Sequence, residues 1–235
     1  MINQKSVNKF QPSQWLGVSI TYLSVPLILL VCGWDLSWWQ AWVFLVLIVT
    51  AGIVSRVLAE QRHPGILVER SKYFKAQDVK SWDKVLGTLM ALSISFPIVI
   101  VAGLDHRFTW SSHFPIWVNL LGFILIAFGY AFASWALIEN RFFFSLVRIL
   151  KDGEHKVCNS GPYRIVRHPG YAGNLFALLG IVLALDSLWT LIPVGMAIII
   201  AVIRTELEDK ALQEELKGYK EYTQQVHYKL IPGIY

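Results

Sequence analysis

The chain has 235 residues, 55% of them hydrophobic and 16% charged, with a formal net charge of +5. Soluble domains carry roughly 25% charged residues, so this chain lacks the polar surface that water requires and the ordinary soluble classes are excluded. The basic surplus lies in segments between long apolar runs, and no nucleic-acid partner is expected.

Taken in chain order, the apolar runs 15–32, 38–59, 85–104 and 116–138 approach the ~20 residues needed to cross a ~30 Å hydrocarbon core. A fifth run, 171–203, would reach about 50 Å as one helix, too long for a single crossing. Asp186-Ser187 interrupts it where a turn and a helix N-cap fit, which predicts two short helices in a hairpin. The expected fold is all-α: a polytopic membrane helix bundle of about six spans, the last two forming a C-terminal helical hairpin. Two regions are expected, 1–138 with four spans and a surface segment at 59–84, and 139–235.

With six spans, one side of the membrane receives segments 1–14, 59–84, 139–170 and 204–235. Together with Arg56 at a helix end, these hold every Lys and Arg except Arg107. That asymmetry predicts that both termini are cytoplasmic and that the basic face meets anionic lipid headgroups. The first run lacks a small-residue cleavage pattern, and "GWDLSWWQ" after it reads as an interfacial turn, so it is expected to be a span and not a secretory signal. Cys32 and Cys158 suggest neither a disulfide nor a metal site, and the six histidines lack ligand spacing, so no metal is expected.

The candidate chemistry lies in the basic-side segments. Segment 59–84 is amphipathic and fits the membrane surface; a solvated connector is the expectation favoured over a catalytic role. The word "RHPG" occurs there at 62–65 and again at 167–170. The neighbours of the two copies do not align, as an internal repeat would require, so the first copy is taken as an echo and the second as the motif. Around the second, Gly161-Pro162 and Pro169-Gly170 stand among Tyr163, Arg164, Arg167, His168 and Tyr171, just before an apolar helix. Pro169 suits the first helical position, where its missing N–H is no loss, placing His168 near the N-cap at an end that attracts anions. Further on, Arg204 and Glu208 are four apart on one helix face beside Glu206 and Asp209. They read equally as an exposed salt-bridged helix or as a pocket for a hydroxylated or cationic ligand.

"HKVCNSGPYRIVRHPGYAG", an apolar hairpin, "ELEDKALQEELKGYKEY" and "YKLIPGIY" together resemble the isoprenylcysteine carboxyl methyltransferase family and its prokaryotic relatives, over residues 139–235. That superfamily also includes phospholipid N-methyltransferases and, more distantly, NADPH-dependent sterol reductases. The resemblance implies an integral membrane enzyme using S-adenosyl-L-methionine, with a cytoplasmic cofactor pocket and a lipophilic acceptor entering from the bilayer. It makes 139–235 the methyltransferase core. Carried over by position, His155, Gly161, Tyr163, Arg167, His168, Pro169, Tyr171 and Gly173 match the first motif; Glu208, Leu212, Tyr219 and Tyr222 match the second. Asn140 and Arg148 match a weaker upstream pattern.

The expected cofactor-binding residues are therefore His155, Gly161, Tyr163, Arg167, His168, Tyr171, Gly173 and Glu208. Glu208 is weighted above Asp209, whose reach is shorter. Arg204 and Glu208 are the expected catalytic pair: Arg204 to position an acceptor carboxylate, Glu208 (or His168) as the base an amine acceptor would need. The expected function is methyl transfer to a lipophilic acceptor, most readily an isoprenylcysteine-like carboxylate. An NADPH-dependent lipid reductase on the same fold is the alternative, and a non-enzymatic protein binding a partner or lipid headgroups is a third reading. The expected location is a prokaryotic cytoplasmic membrane, with lipids and a lipophilic or prenylated substrate as partners. The apolar faces do not indicate an oligomeric state.

Overall fold

The computed structural model describes residues 12–71, 79–144, 146–149 and 155–235. Among them the chain is helical, with α1 (Pro12–Gly33), α2 (Trp39–Arg62), α3 (Ile66–Ser71), α4 (Ser81–Ser95), α5 (Pro97–Phe108), α6 (Ile116–Glu139), α7 (Pro169–Ala184), α8 (Leu191–Glu215) and α9 (Tyr219–Gln225). A 3-10 turn at Gly161–Arg164 precedes α7. One isolated antiparallel bridge joins Val79 to Arg148.

The membrane bundle has the expected helical class, but its spans are unequal. Among the described residues, three stretches are long and apolar enough to cross a bilayer: Trp39–Arg62, Ser81–Phe108 and Ile116–Glu139. The middle one is two helices, because Pro97 has no N–H to continue the ladder and begins α5 instead. The stretch Tyr22–Gly33 of α1 and all of α7 are shorter apolar helices. The interrupted fifth run forms α7 and α8 as a hairpin, and α8 leaves its apolar half to end in charged residues at Glu215. Ile192, Met196, Ile199 and Ile203 form its exposed stripe, the spacing of one helical face.

The turn at Asp186 differs from its expected N-cap role. Asp186 takes a left-handed φ of 55°, and α8 is preceded by Thr190, which makes no side-chain cap bond. The Asp186 carboxylate is engaged elsewhere: it accepts from Gln40 Nε2 at 3.0 Å, Asn119 Nδ2 at 2.6 Å and the Phe114 amide at 3.1 Å. Beside it, Ser187 Oγ donates to Asp105 at 2.5 Å, and Ser111 Oγ donates to the same carboxylate at 2.7 Å. Two buried carboxylates thus fasten α2, α5, α6 and the α7–α8 turn at the end away from the basic segments, each supplied with donors as burial demands.

A continuous apolar core fills that half of the bundle. Leu29 of α1, Phe44 of α2, Ile98 of α5, Ile126 of α6, Leu185 after α7 and Val194 of α8 belong to one buried cluster. Within it α6 and α7 meet backbone to backbone. A Cβ on Gly129 would lie 2.4 Å from the Gly173 carbonyl oxygen, and one on Gly173 would lie 2.4 Å from the Gly129 oxygen. A Cβ on Gly122 would meet the Ala184 amide at 2.4 Å. Small residues allow such approach in apolar bundles, where no hydrophobic drive between helices exists and van der Waals contact must supply the attraction. This seam sets the position of the α7 N-terminus, and so of the second RHPG.

Candidate active site at the basic end

The Pro169 ring begins α7 and His168 is its N-cap residue, as the sequence predicts. The His168 side chain does not close the helix end. Its backbone N–H donates to the Lys229 carbonyl at 2.9 Å, and the Arg167 N–H donates to the Tyr228 carbonyl at 2.9 Å. The segment after α9 therefore runs beside the motif and fixes both side chains.

Those side chains converge on Asp209, which is 2% exposed. Arg167 grips it bidentately, Nε to Oδ1 at 2.8 Å and Nη2 to Oδ2 at 3.1 Å. His168 Nε2 stands 3.1 Å from Oδ1, Tyr219 Oη donates to Oδ1 at 3.0 Å, and Gln213 Nε2 donates to Oδ2 at 2.7 Å. Arg167 Nη1 also donates to the Val226 and His227 carbonyls at 2.9 and 2.7 Å. Burial alone would raise the Asp209 carboxyl, but the bonds from His168 and Arg167 outweigh it and hold it well below its ordinary range. The acidic cluster is thus no solvated helix face: Asp209 ties α8, α9 and the RHPG turn together. Glu206 pairs with Lys229 at the surface.

Glu208 points the other way, into a cavity of about 520 Å³, within the range of small-molecule sites. Tyr171 Oη donates to Glu208 Oε2 at 2.7 Å, and His168 Nδ1 lies 3.8 Å from Glu208 Oε1. Tyr163, Tyr219 and Tyr222 complete an aromatic side. Burial, first of all, pushes each of these three phenols well above its ordinary pKa; they remain neutral donors and π-surfaces at any working pH. Tyr222 Oη donates to the Tyr163 carbonyl at 2.6 Å and Asn140 Nδ2 donates to Tyr163 Oη at 3.3 Å. His155 lies against Phe142, with ring centroids 4.5 Å apart.

Of the residues singled out in the sequence, His155, Tyr163, Arg167, His168, Tyr171, Arg204 and Glu208 all line this cavity, with Asn140, Arg148, Leu212, Tyr219 and Tyr222. Two expected cofactor contacts stand elsewhere. Gly173 faces α6 in the glycine seam. Gly161 makes the left-handed turn that starts the 3-10 element, at φ 54°, where a Cβ would press on Glu139 and Trp135 at 3.0 Å. Backbone geometry alone accounts for a glycine at both positions.

Arg204 is 5% exposed, and its partner is not the residue one turn on but Asp83 of α4: Nε to Oδ1 at 2.6 Å, Nη2 to Oδ2 at 3.0 Å. Its guanidinium carbon lies 5.6 Å from the Tyr171 ring centre. The segment expected to be a mere connector therefore enters the site. Asp83 holds Arg204, and Arg70 of α3 lines the cavity and donates to the Phe143 carbonyl at 2.5 Å. The apolar wall, Gly87, Met90, Ala91 and Leu92 of α4 with Phe142, Phe144 and Leu146, was not anticipated either. Its visible signal was the run Phe142-Phe143-Phe144, more apolar than a solvated connector needs. The first RHPG lies outside the cavity lining: Pro64-Gly65 follows the end of α2, and Glu60 accepts the Gly65 and Leu67 amides at 2.8 and 3.1 Å.

A membrane helix bundle whose basic end holds a polar, tyrosine-lined cavity beside an apolar wall is a fold suited to joining a polar ligand to a lipid. Residues 117–218, which carry most of that cavity's polar side, match the Phospholipid methyltransferase family. The chain is also 24% identical over 175 residues to the "Probable protein-S-isoprenylcysteine O-methyltransferase" of Oryza sativa subsp. indica, covering 69% of this chain and 89% of that one. It is 26% identical over 121 residues to "Protein-S-isoprenylcysteine O-methyltransferase B" of Arabidopsis thaliana, covering 49% of this chain and 61% of the relative. By their printed names, these matches are all to methyltransferases. The two plant relatives carry the name of the family whose motif the chain resembles.

Proposed function

We propose that this protein transfers a methyl group from S-adenosyl-L-methionine to the carboxylate of a lipophilic, prenylcysteine-like acceptor, in a cavity facing the cytoplasm. The observation that carries the reading is the convergence of His168, Tyr171 and Glu208 on one cavity, although Glu208 lies 37 residues from Tyr171 in sequence. The donor set fits the methyl donor. A carboxylate at Glu208 suits its ammonium or ribose hydroxyls, and the Tyr163, Tyr171, Tyr219 and Tyr222 rings suit adenine and a sulfonium, which aromatic faces attract. That cofactor supplies an electrophilic methyl group for in-line displacement.

The protein's own task is alignment at about 3 Å, not proton transfer. A carboxylate acceptor is already a nucleophile, so no base is required. Asp209 keeps His168 and Tyr219 oriented, and Glu208 with Tyr171 marks the polar compartment. Arg204 at its border is the group to meet the acceptor carboxylate, with Met90, Leu92 and Phe144 beside the lipid tail. The matches are all to methyltransferases, and none supports the NADPH-reductase alternative.

The test is thermal unfolding of the detergent-purified protein with S-adenosylhomocysteine, and with NADPH in parallel. At a hundred times its dissociation constant a ligand adds about 2.7 kcal/mol, so the homocysteine compound is expected to raise the melting point, and Glu208→Ala to abolish the shift. Stabilisation by NADPH alone would overturn the chemistry.

A further inference from the structure

Asp83 is fully buried and lies outside the 117–218 stretch that matches the methyltransferase family. It sits in the first turn of α4, at a junction where several short contacts meet. Val79 bridges Arg148, and the Lys80 amide donates to the Val147 carbonyl at 3.3 Å. The Val147 amide donates to Asp83 Oδ2 at 2.5 Å, and Lys80 pairs with Glu215 of α8. Gly87, one turn further along α4, has no side chain to hold α4 away: a Cβ there would lie 2.4 Å from Leu146 Cδ2 and 3.5 Å from Arg204 Nη2. The carboxylate is therefore held by the Val147 amide, and the start of its helix by the Val79–Arg148 bridge and the Lys80–Glu215 pair, before it meets the guanidinium.

It meets Arg204 along the Nε–Nη2 edge, both bonds in bidentate geometry. A planar guanidinium gripped on one edge has its remaining orientation set, unlike an ammonium at the end of a free stem. The consequence is visible at the cavity. Arg204 Nη1 is carried to 3.9 Å from Met90 Sδ on the apolar wall, while its Cζ lies 5.6 Å from the centre of the Tyr171 ring, whose hydroxyl donates to Glu208. Arg204 thus stands at the boundary between the polar and apolar compartments.

We propose that Asp83 is a positioning residue of the methyl-transfer reaction: by gripping the Nε–Nη2 edge of Arg204 it aims that side chain at the acceptor carboxylate and offsets its charge. This rests on the reading of Arg204 as the group that meets the acceptor. Two effects follow. The grip fixes where the acceptor oxygen stands relative to the methyl group, so it acts on turnover. The offset charge weakens the attraction between Arg204 and an acid in the ground state, so it acts against tight binding. A change that removes the charge of Asp83 but not its size separates them.

The experiment compares wild type with Asp83→Asn and the doubly neutral Asp83→Asn/Arg204→Met. The probes are an N-acetyl-S-prenylcysteine, its methyl ester, and S-adenosylhomocysteine. In Asp83→Asn, kcat is expected to fall at least tenfold while KM for the acid stays level or falls. The binding preference for acid over ester is expected to rise at least threefold, and affinity for S-adenosylhomocysteine to stay within twofold. In the double variant the acid preference disappears. An unchanged kcat overturns the proposal, as does an unchanged or lower acid preference, or a parallel loss of donor affinity, acceptor affinity and folded fraction. If Asp83→Asn does not fold, Asp83→Glu keeps the charge and moves the guanidinium; a kcat loss without change in acid preference is then expected, and wild-type kcat overturns the proposal. Wild-type protein that binds the acid but transfers no methyl group refutes the proposed function, while the acid-to-ester comparison still decides the role of Asp83.

Discussion

Asp209 illustrates how one side chain holds a site without facing its ligand. Four groups from three parts of the chain converge on it, and removing a partner from a buried ion pair costs about 3–5 kcal/mol. Asp209→Ala is expected to lose that much in equilibrium or kinetic unfolding in detergent, with the donor site disrupted alongside. Its titration has a definite sign. The carboxyl is depressed in the folded state against about 3.9 in an unfolded chain, so its contribution is complete above that value and is lost as pH falls through the depressed one. The melting point should be level from pH 8 to 5 and fall below about pH 4, with a shallower acid slope in Asp209→Asn. A sequence reading that ranks Glu208 over Asp209 by reach alone sees the charge but not the direction, because adjacent helical residues point about 100° apart and only packing selects which one faces the cavity.

At the scale of elements, the α6–α7 seam depends on glycines whose neighbours are backbone atoms. Gly173→Ala would bring a methyl group to 2.4 Å from the Gly129 oxygen and 2.8 Å from the Ala133 amide, which only separation of the helices relieves. Overpacking of this kind costs about 1–3 kcal/mol, read as a lower melting point. Gly195→Ala in α8 is the control: nothing lies within 4 Å of its Cβ, and loss of glycine's unfolded freedom should make it neutral or stabilising by about 0.5–1 kcal/mol. Helix type, the hairpin and the start of α7 were legible, since apolar length and a proline within the motif depend on local chemistry. The role of Gly173 was not. A motif glycine looks the same whether it spares room for a ligand or for another helix. The α3–α4 contribution was equally hidden, because Asp83 is a lone acid in a helical first turn, and its partner is 121 residues away.

For the whole molecule, charge and polarity are segregated along the bundle. Among the described residues, Arg70, Arg148, Lys156, Arg167 and Arg204 line the cavity at one end, while Arg107 lies at the other beside Trp34 and Phe108. In the proposed orientation the basic end is cytoplasmic. With Cys32 and Cys158 changed to Ser, Arg107→Cys is expected to react with a membrane-impermeant maleimide on intact cells, and Glu221→Cys only after permeabilisation. The reverse pattern would invert the proposed topology.

The carboxylate clasps around Asp105 and Asp186, with the apolar cluster beneath them, give the half opposite the cavity a solid interior among the described residues. Interiors packed in this way exclude water, and an ion entering one would pay the full cost of shedding its hydration. A bundle hollow at one end and plugged at the other does not conduct. A chamber that opens at one end only can sit within a bilayer without offering ions a path across it.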